Sequence, residues 1–200
     1  MDDRCTLLIG RLATLGSCLL AAEGALEAQP LHFAGERVVI TVAGDRCSVT
    51  GEYHFRNPGP VPVQAALLYP FPVTPLQPMP DSILVEDVLG RSAIVPTAMD
   101  SAVAFPVRIP PSSTRIYRVS FLQRTPARRF EYILTTTRRW PWPVAHAEFS
   151  IVLPGDLTMR SCSLVPDTVI ERSWGRTYRI ERDQFVPEEN LILRWERSSP

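Results

Sequence analysis

The sequence predicts an all-β protein, an antiparallel β-sandwich of many short strands joined by proline-rich turns. Three observations predict it. Cys47, Val49, Gly51, Tyr53 and Phe55 alternate with Ser48, Thr50, Glu52, His54 and Arg56. Successive side chains of a strand point to opposite faces, so this is a half-buried strand with its small and apolar residues inward. The 200 residues include 20 prolines, spread along the chain rather than gathered in one tract. That is about twice average usage, and it suits turns between strands better than long helices. Strand-like runs also recur at close spacing, roughly a dozen of them, each bounded by turn residues.

Taken in order, residues 36–42 form the first β-rich run, and Ala43-Gly44-Asp45 turns it into the alternating strand. Asn57-Pro58-Gly59-Pro60 stops that strand, because Pro58 cannot donate to a ladder and Gly59 accepts a positive φ. A second apolar run, 64–69, closes on Pro70-Phe71-Pro72, and residues 74–81 form a proline-stiffened connection. Residues 82–88, 92–96 and 101–109 read as strands, the last ended by Pro110-Pro111. In 114–122, Tyr117, Val119 and Phe121 share one parity; in 128–136, Phe130, Tyr132 and Leu134 do. Residues 147–153, 157–165, 168–174, 177–182 and 190–197 complete the set, with Leu191, Leu193 and Trp195 on one face of the last. Residues 30–200 are expected to form one sandwich domain, with a division into two subdomains near 154 as the alternative.

Residues 1–29 differ from the rest. Arg4 and Arg11 precede the small and apolar run 12–22, which has the length of a signal-peptide core. An export leader is the expectation, and an ordinary N-terminal helix is the alternative. Leu15-Gly16-Ser17-Cys18 also matches a lipobox, which would anchor a lipoprotein through Cys18. The run is too short and broken to span a bilayer. Periplasmic, cell-surface or secreted placement follows from the export reading. In an exported chain Cys47 and Cys162 would close a disulfide worth roughly 4–5 kcal/mol in the chain-entropy model. Two independently buried thiols are the alternative.

Acidic and basic residues balance at 21 each, and every basic one is arginine. A neutral total argues against general nucleic-acid binding. The three histidines, His32, His54 and His146, fall in no HxH or HExxH spacing. His54 lies on the polar face of its strand beside Glu52, and His146 shares parity with Glu148 in an expected ion-pair contact. No nucleophile elbow, Walker motif, dinucleotide fingerprint or CxxC pair occurs, so no cofactor or metal is expected. The distinctive surface candidate is residues 124–143, where Arg124, Arg128, Arg129, Arg138 and Arg139 accompany Trp140 and Trp142. Guanidinium forks bind anions bidentately, and Trp and Arg are common interface anchors. The stretch therefore reads as a patch for a partner protein, an anionic glycan or an anionic membrane surface. A proline-braced loop with buried tryptophans and solvated arginines is the alternative.

Tyr53-His54-Phe55-Arg56-Asn57 and Leu68-Tyr69-Pro70-Phe71-Pro72 resemble the early signature of vault/inter-alpha-trypsin-type β-sandwich domains. Tyr132-Ile133-Leu134-Thr135-Thr136, Trp140-Pro141-Trp142-Pro143 and the stretch 183–191 are similar to an uncharacterised family of exported bacterial β-proteins. Both resemblances imply an exported, non-catalytic module for binding or structural support in the cell envelope. Two other classes compete with it. One is a hydrolase with a site assembled from His54, Glu52 and Asp45, or from His146 and a distant carboxylate. The other is an oligomeric scaffold built on exposed sheet edges.

Overall fold

Strand-forming sequence fills nearly all of residues 31–198, which the computed structural model describes. The leader, with Cys5 and Cys18, lies outside those residues. Among the described residues fourteen strands follow one another: β1 His32–Ala43, β2 Arg46–Asn57, β3 Val63–Pro70, β4 Ser82–Asp87, β5 Ser92–Ile94, β6 Thr97–Ala98 and β7 Ala102–Ile109. Then come β8 Ser113–Arg124, β9 Arg129–Tyr132, β10 Val144–Pro154, β11 Leu157–Cys162, β12 Thr168–Arg172, β13 Gly175–Phe185 and β14 Leu191–Arg197. Among the described residues a single 3₁₀ turn occurs, Thr135–Arg139, after β9. No helix among the described residues is long and apolar enough to cross a membrane.

The strands form one eight-stranded sheet in the order β12-β13-β10-β1-β2-β8-β4-β5 and two three-stranded sheets, β11-β14-β9 and β3-β7-β6. Pairing is antiparallel except between β1 and β10, which run parallel. Both small sheets pack on one face of the large one. Val38, Ile40, Val49, Val119 and Ile151 of the large sheet share one buried cluster with Val103 and Phe105 of β7 and with Phe130, Leu191 and Leu193 of β9 and β14. The all-β sandwich expected from the alternation is the fold observed. Cys47, Val49, Gly51, Tyr53 and Phe55 are all buried, as are Tyr117, Val119, Phe121, Phe130, Tyr132, Leu134, Leu191, Leu193 and Trp195.

The outer face of the large sheet carries charge. Arg37 on β1 bonds Glu148 on β10 at 2.9 Å, and Arg118 on β8 bridges Glu52 on β2 at 2.7 Å and Glu86 on β4 at 3.2 Å. Glu148 therefore serves Arg37 rather than His146. The expected Asn57 stop has a clear basis. Asn57 is buried, and its amide donates to the carbonyls of Val61, Ile109 and Pro110 while its oxygen accepts from Gly59 N–H. One side chain thus ties the β2–β3 turn to the β7–β8 turn.

Two expectations are corrected. The run 128–136 is not one strand, because β9 ends at Tyr132 and the chain bends into the 3₁₀ turn. Asn190 holds that bend: its Oδ1 accepts from the N–H groups of Leu134 and Thr135 and from the Thr135 hydroxyl, at 3.0–3.3 Å. The Cys47–Cys162 disulfide is not formed, and neither cysteine is bonded to another among the described residues. Asp45 and Leu157 line one cleft, so Cys47 lies near the start of β11, whereas Cys162 ends that strand. A disulfide needs α-carbons within about 7 Å, less than the length of β11. Cys47 contacts the Thr125 hydroxyl instead, at 3.8 Å. Strands on both sides of Pro154 also share two sheets, since β13 pairs with β10 and β14 with β9.

Candidate functional site

Where the three sheets meet, each contributes one tyrosine. Tyr53 comes from β2, Tyr69 from β3 and Tyr132 from β9. Their hydroxyls form a closed triad, with Tyr53 at 2.6 Å from Tyr132 and 2.8 Å from Tyr69, and Tyr69 donating to Tyr132 at 3.3 Å. Gly51 makes room for it, because a β-carbon there would overlap the Tyr53 hydroxyl. The triad lines a cavity of about 90 Å³ whose other walls include Phe33, Phe55, Trp140 and Leu68. Phe33 and Phe55 stack at 5.1 Å, and Trp140 packs on both, at 5.8 and 5.6 Å.

Glu36 lines the same cavity and is 5% exposed. Its Oε1 is buried and has no hydrogen-bond partner among the described residues. Burial pushes its carboxyl up to about 8. Glu36 faces inward because of its register. It shares the parity of Val38, Ile40 and Val42, and a bulge between Phe33 and Gly35 brings Phe33 to the same face. Gly35 permits the close approach of β10 there, since a β-carbon would lie 2.9 Å from the His146 carbonyl oxygen. Burial also raises the hydroxyls of Tyr53, Tyr69 and Tyr132, and the charge of Glu36 raises all three further.

The expected arginine–tryptophan patch is divided. Arg124 ends β8 opposite Arg46, and Arg128 lines a different cleft with Asp45, Asp156 and Arg197. Arg129 is paired with Glu131 at 2.7 Å. Arg138 and Arg139 are exposed in the 3₁₀ turn, beyond the length of β9. Arg124 and Arg128 thus precede β9, and Arg138 and Arg139 follow it. Trp140 is half-buried as a wall of the aromatic cavity, and Trp142 is exposed against the His32 ring at 5.2 Å.

His54, Glu52 and Asp45 do not converge. Glu52 is engaged by Arg118, and Asp45 sits in the turn before β2, nine residues and roughly 30 Å of strand from His54. Burial lowers the His54 ring, partly opposed by Glu52. His146 does meet a distant carboxylate, with its Nδ1 at 2.8 Å from Asp183, but both are exposed. Among the described residues no group of three or more His, Cys, Asp or Glu is placed to hold a metal. Sequence reasoning missed Glu36 and the triad as a site. The signal was present in Glu36, an acidic residue on the parity of Val38, Ile40 and Val42.

No family model matches the sequence, and no curated protein matches it. Among solved structures, the fold is similar to a candidate nutrient-binding protein from Legionella pneumophila, with a TM-score of 0.68 at 13% identity over 82% of this chain and 66% of that one. It is also similar to part of an M1 zinc metallopeptidase from Deinococcus radiodurans, with a TM-score of 0.50 at 15% identity over 82% of this chain and 42% of that one. The chain thus spans just under two thirds of the first neighbour and less than half of the second. Neither neighbour is a vault/inter-alpha-trypsin-type domain, so the comparisons do not carry that kinship. At these identities the likeness is one of fold.

Proposed function

We propose that this chain is a non-catalytic binding module whose ligand site is the aromatic cavity at the junction of its three sheets. The observation that carries this reading is Glu36. A carboxyl buried without a partner costs stability that a well-packed apolar residue would not. Small-molecule sites are typically apolar cavities with a few convergent polar groups and perturbed acidities. The cavity has that composition. Its volume suits a head group rather than a whole large ligand, since an apolar cavity that holds benzene measures about 150 Å³. The Legionella neighbour, whose fold is shared, is itself a candidate nutrient-binding protein.

The test is a screen of small soluble fragments by two-dimensional NMR. Binding should shift resonances of Phe33, Tyr53, Tyr132 and Trp140 together, and Tyr132→Trp, which fills the cavity, should abolish those shifts. Fragments that perturb only other surfaces would overturn the assignment. Esterase or amidase activity lost in His146→Ala would overturn the non-catalytic reading. The same proposal puts the module in the periplasm, at the cell surface or outside the cell. Fractionation that finds the intact chain in the cytosol would refute that placement.

A further inference from the structure

We propose that the cavity selects a protonated amine, an alkylammonium head group with Glu36 as its counter-ion. This rests on the reading of the cavity as a ligand site and specifies its ligand class.

The argument is a count of donors and acceptors. A phenol hydroxyl has one proton to give and two lone pairs to receive. In the cyclic arrangement, with Tyr69 donating to Tyr132, Tyr132 to Tyr53 and Tyr53 to Tyr69, all three protons are spent within the triad. Each oxygen keeps a lone pair and no free proton. Glu36, once ionised, contributes acceptors only. The ionised cavity therefore offers acceptors and needs a donor-rich occupant. An ammonium group carries three donors, no acceptor and a positive charge. The faces of Phe33, Phe55 and Trp140 add cation–π attraction. An anionic ligand would meet an acidic side chain and oxygen lone pairs.

Among the described residues no competing cation lines the cavity. The titratable groups facing Glu36 are Tyr53 from β2, Tyr69 from β3 and Tyr132 from β9, and the cavity lining includes no Arg, Asp or His. From β10 the register partner is Ala147, and the 3₁₀ turn contributes Thr136 and Thr137. Arg37, next in the chain, points to the other face and is held by Glu148. Arg138 and Arg139 are exposed outside the lining.

The binding step balances in charge. Below about pH 8 the empty cavity holds Glu36 as the neutral acid. An alkylammonium ion entering it displaces the carboxyl proton to solvent, leaving an ammonium–carboxylate pair. Affinity should therefore rise about tenfold per pH unit up to about pH 8 and level off above it.

The experiment titrates the full-length chain with n-butylammonium, n-butanol and n-butyrate by calorimetry between pH 6 and pH 9, a range in which the amine stays charged. Butylammonium should bind at least tenfold more tightly than butanol at pH 8 and release close to one proton at pH 6. Glu36→Gln should remove both the preference and the pH dependence. Proton release needs no variant, so it tests the inference even if Glu36→Gln folds poorly. If butanol or butyrate binds in the cavity as tightly as the amine, or amine binding is flat with pH, the amine inference fails and the cavity remains a ligand site. If none of the three binds while fragments of the screen still shift the cavity resonances, the amine inference alone fails; if no fragment shifts them either, the ligand-site reading fails with it.

Discussion

At the scale of single residues, burial of the Glu36 carboxyl costs stability. Its carboxyl titrates at about 8 in the fold against 4.5 in the unfolded chain. Between those values the folded state binds more protons than the unfolded state, so stability falls as pH rises through the window. The penalty is absent below about pH 4.5 and complete above about pH 8. Glu36→Gln should flatten this dependence and stabilise the protein by about 1–3 kcal/mol at pH 8.5, read from urea unfolding midpoints at several pH values. An unchanged slope in the variant would show that Glu36 is solvated. Gly51 is the second such residue. Gly51→Ala should drive the Tyr53 hydroxyl from the triad and cost about 1–3 kcal/mol in the same assay, because a β-carbon there overlaps that hydroxyl and the triad's hydrogen bonds are lost. The parity of Glu36 was legible, but its consequence was not. A charged residue on a buried parity reads as a strand end until the bulge at Phe33 and Gly35 is seen. Gly51 was legible as an inward small residue, yet nothing local says that a ring two positions on folds back over it.

At the scale of elements, strands were legible where one face is buried and the alternation is clean, as in β2, β8 and β14. Ends set by distant side chains were not. The bend after Tyr132 depends on Asn190, and the connection after Phe71 is fixed by the buried Gln77, which bonds Gln123 and the backbone of Glu131. The parallel β1–β10 pair was equally hidden, because pairing partners so far apart in sequence leave no local signal. The stretches that carried the resemblance nonetheless converge: Tyr53, Tyr69, Tyr132 and Trp140 all line the cavity. The cysteines allow a test at this scale. Burial raises the Cys47 thiol to about 12 and the Cys162 thiol to about 11. The thiolate is the reactive form. In a variant with Cys5 and Cys18 replaced by serine, a chromogenic thiol reagent at pH 7.5 should modify Cys162 slowly and Cys47 only on unfolding. Reductant should leave the melting temperature unchanged. A thiol count of zero in the denatured chain would instead demonstrate a disulfide.

At the scale of the whole molecule, the tyrosine triad is where the three sheets are joined by side chains, and the chain crosses between sheets repeatedly. β9 and β14 belong to one sheet, while β10 and β13, which lie between them in sequence, belong to another. A cut near Pro154 would separate β10 from β13 and β9 from β14, stripping both sheets of partners. Neither half could then keep the shared buried cluster out of water. The expected outcome is one cooperative transition in urea. Its tryptophans report from separate places: Trp195 from the core side of β14, Trp140 from the cavity wall, and Trp174 from the exposed turn between β12 and β13. Fluorescence from single-tryptophan variants at these positions and far-ultraviolet circular dichroism should give coincident midpoints. A Trp174 midpoint well below that of Trp140 would indicate that the C-terminal strands unfold on their own. Tyr132→Phe sharpens the test. Removing that hydroxyl breaks two of the triad's contacts, and each net hydrogen bond contributes about 1 kcal/mol. If the sheets are coupled, all the midpoints should fall together. If only the Trp140 signal moves, the triad shapes the cavity without holding the sheets.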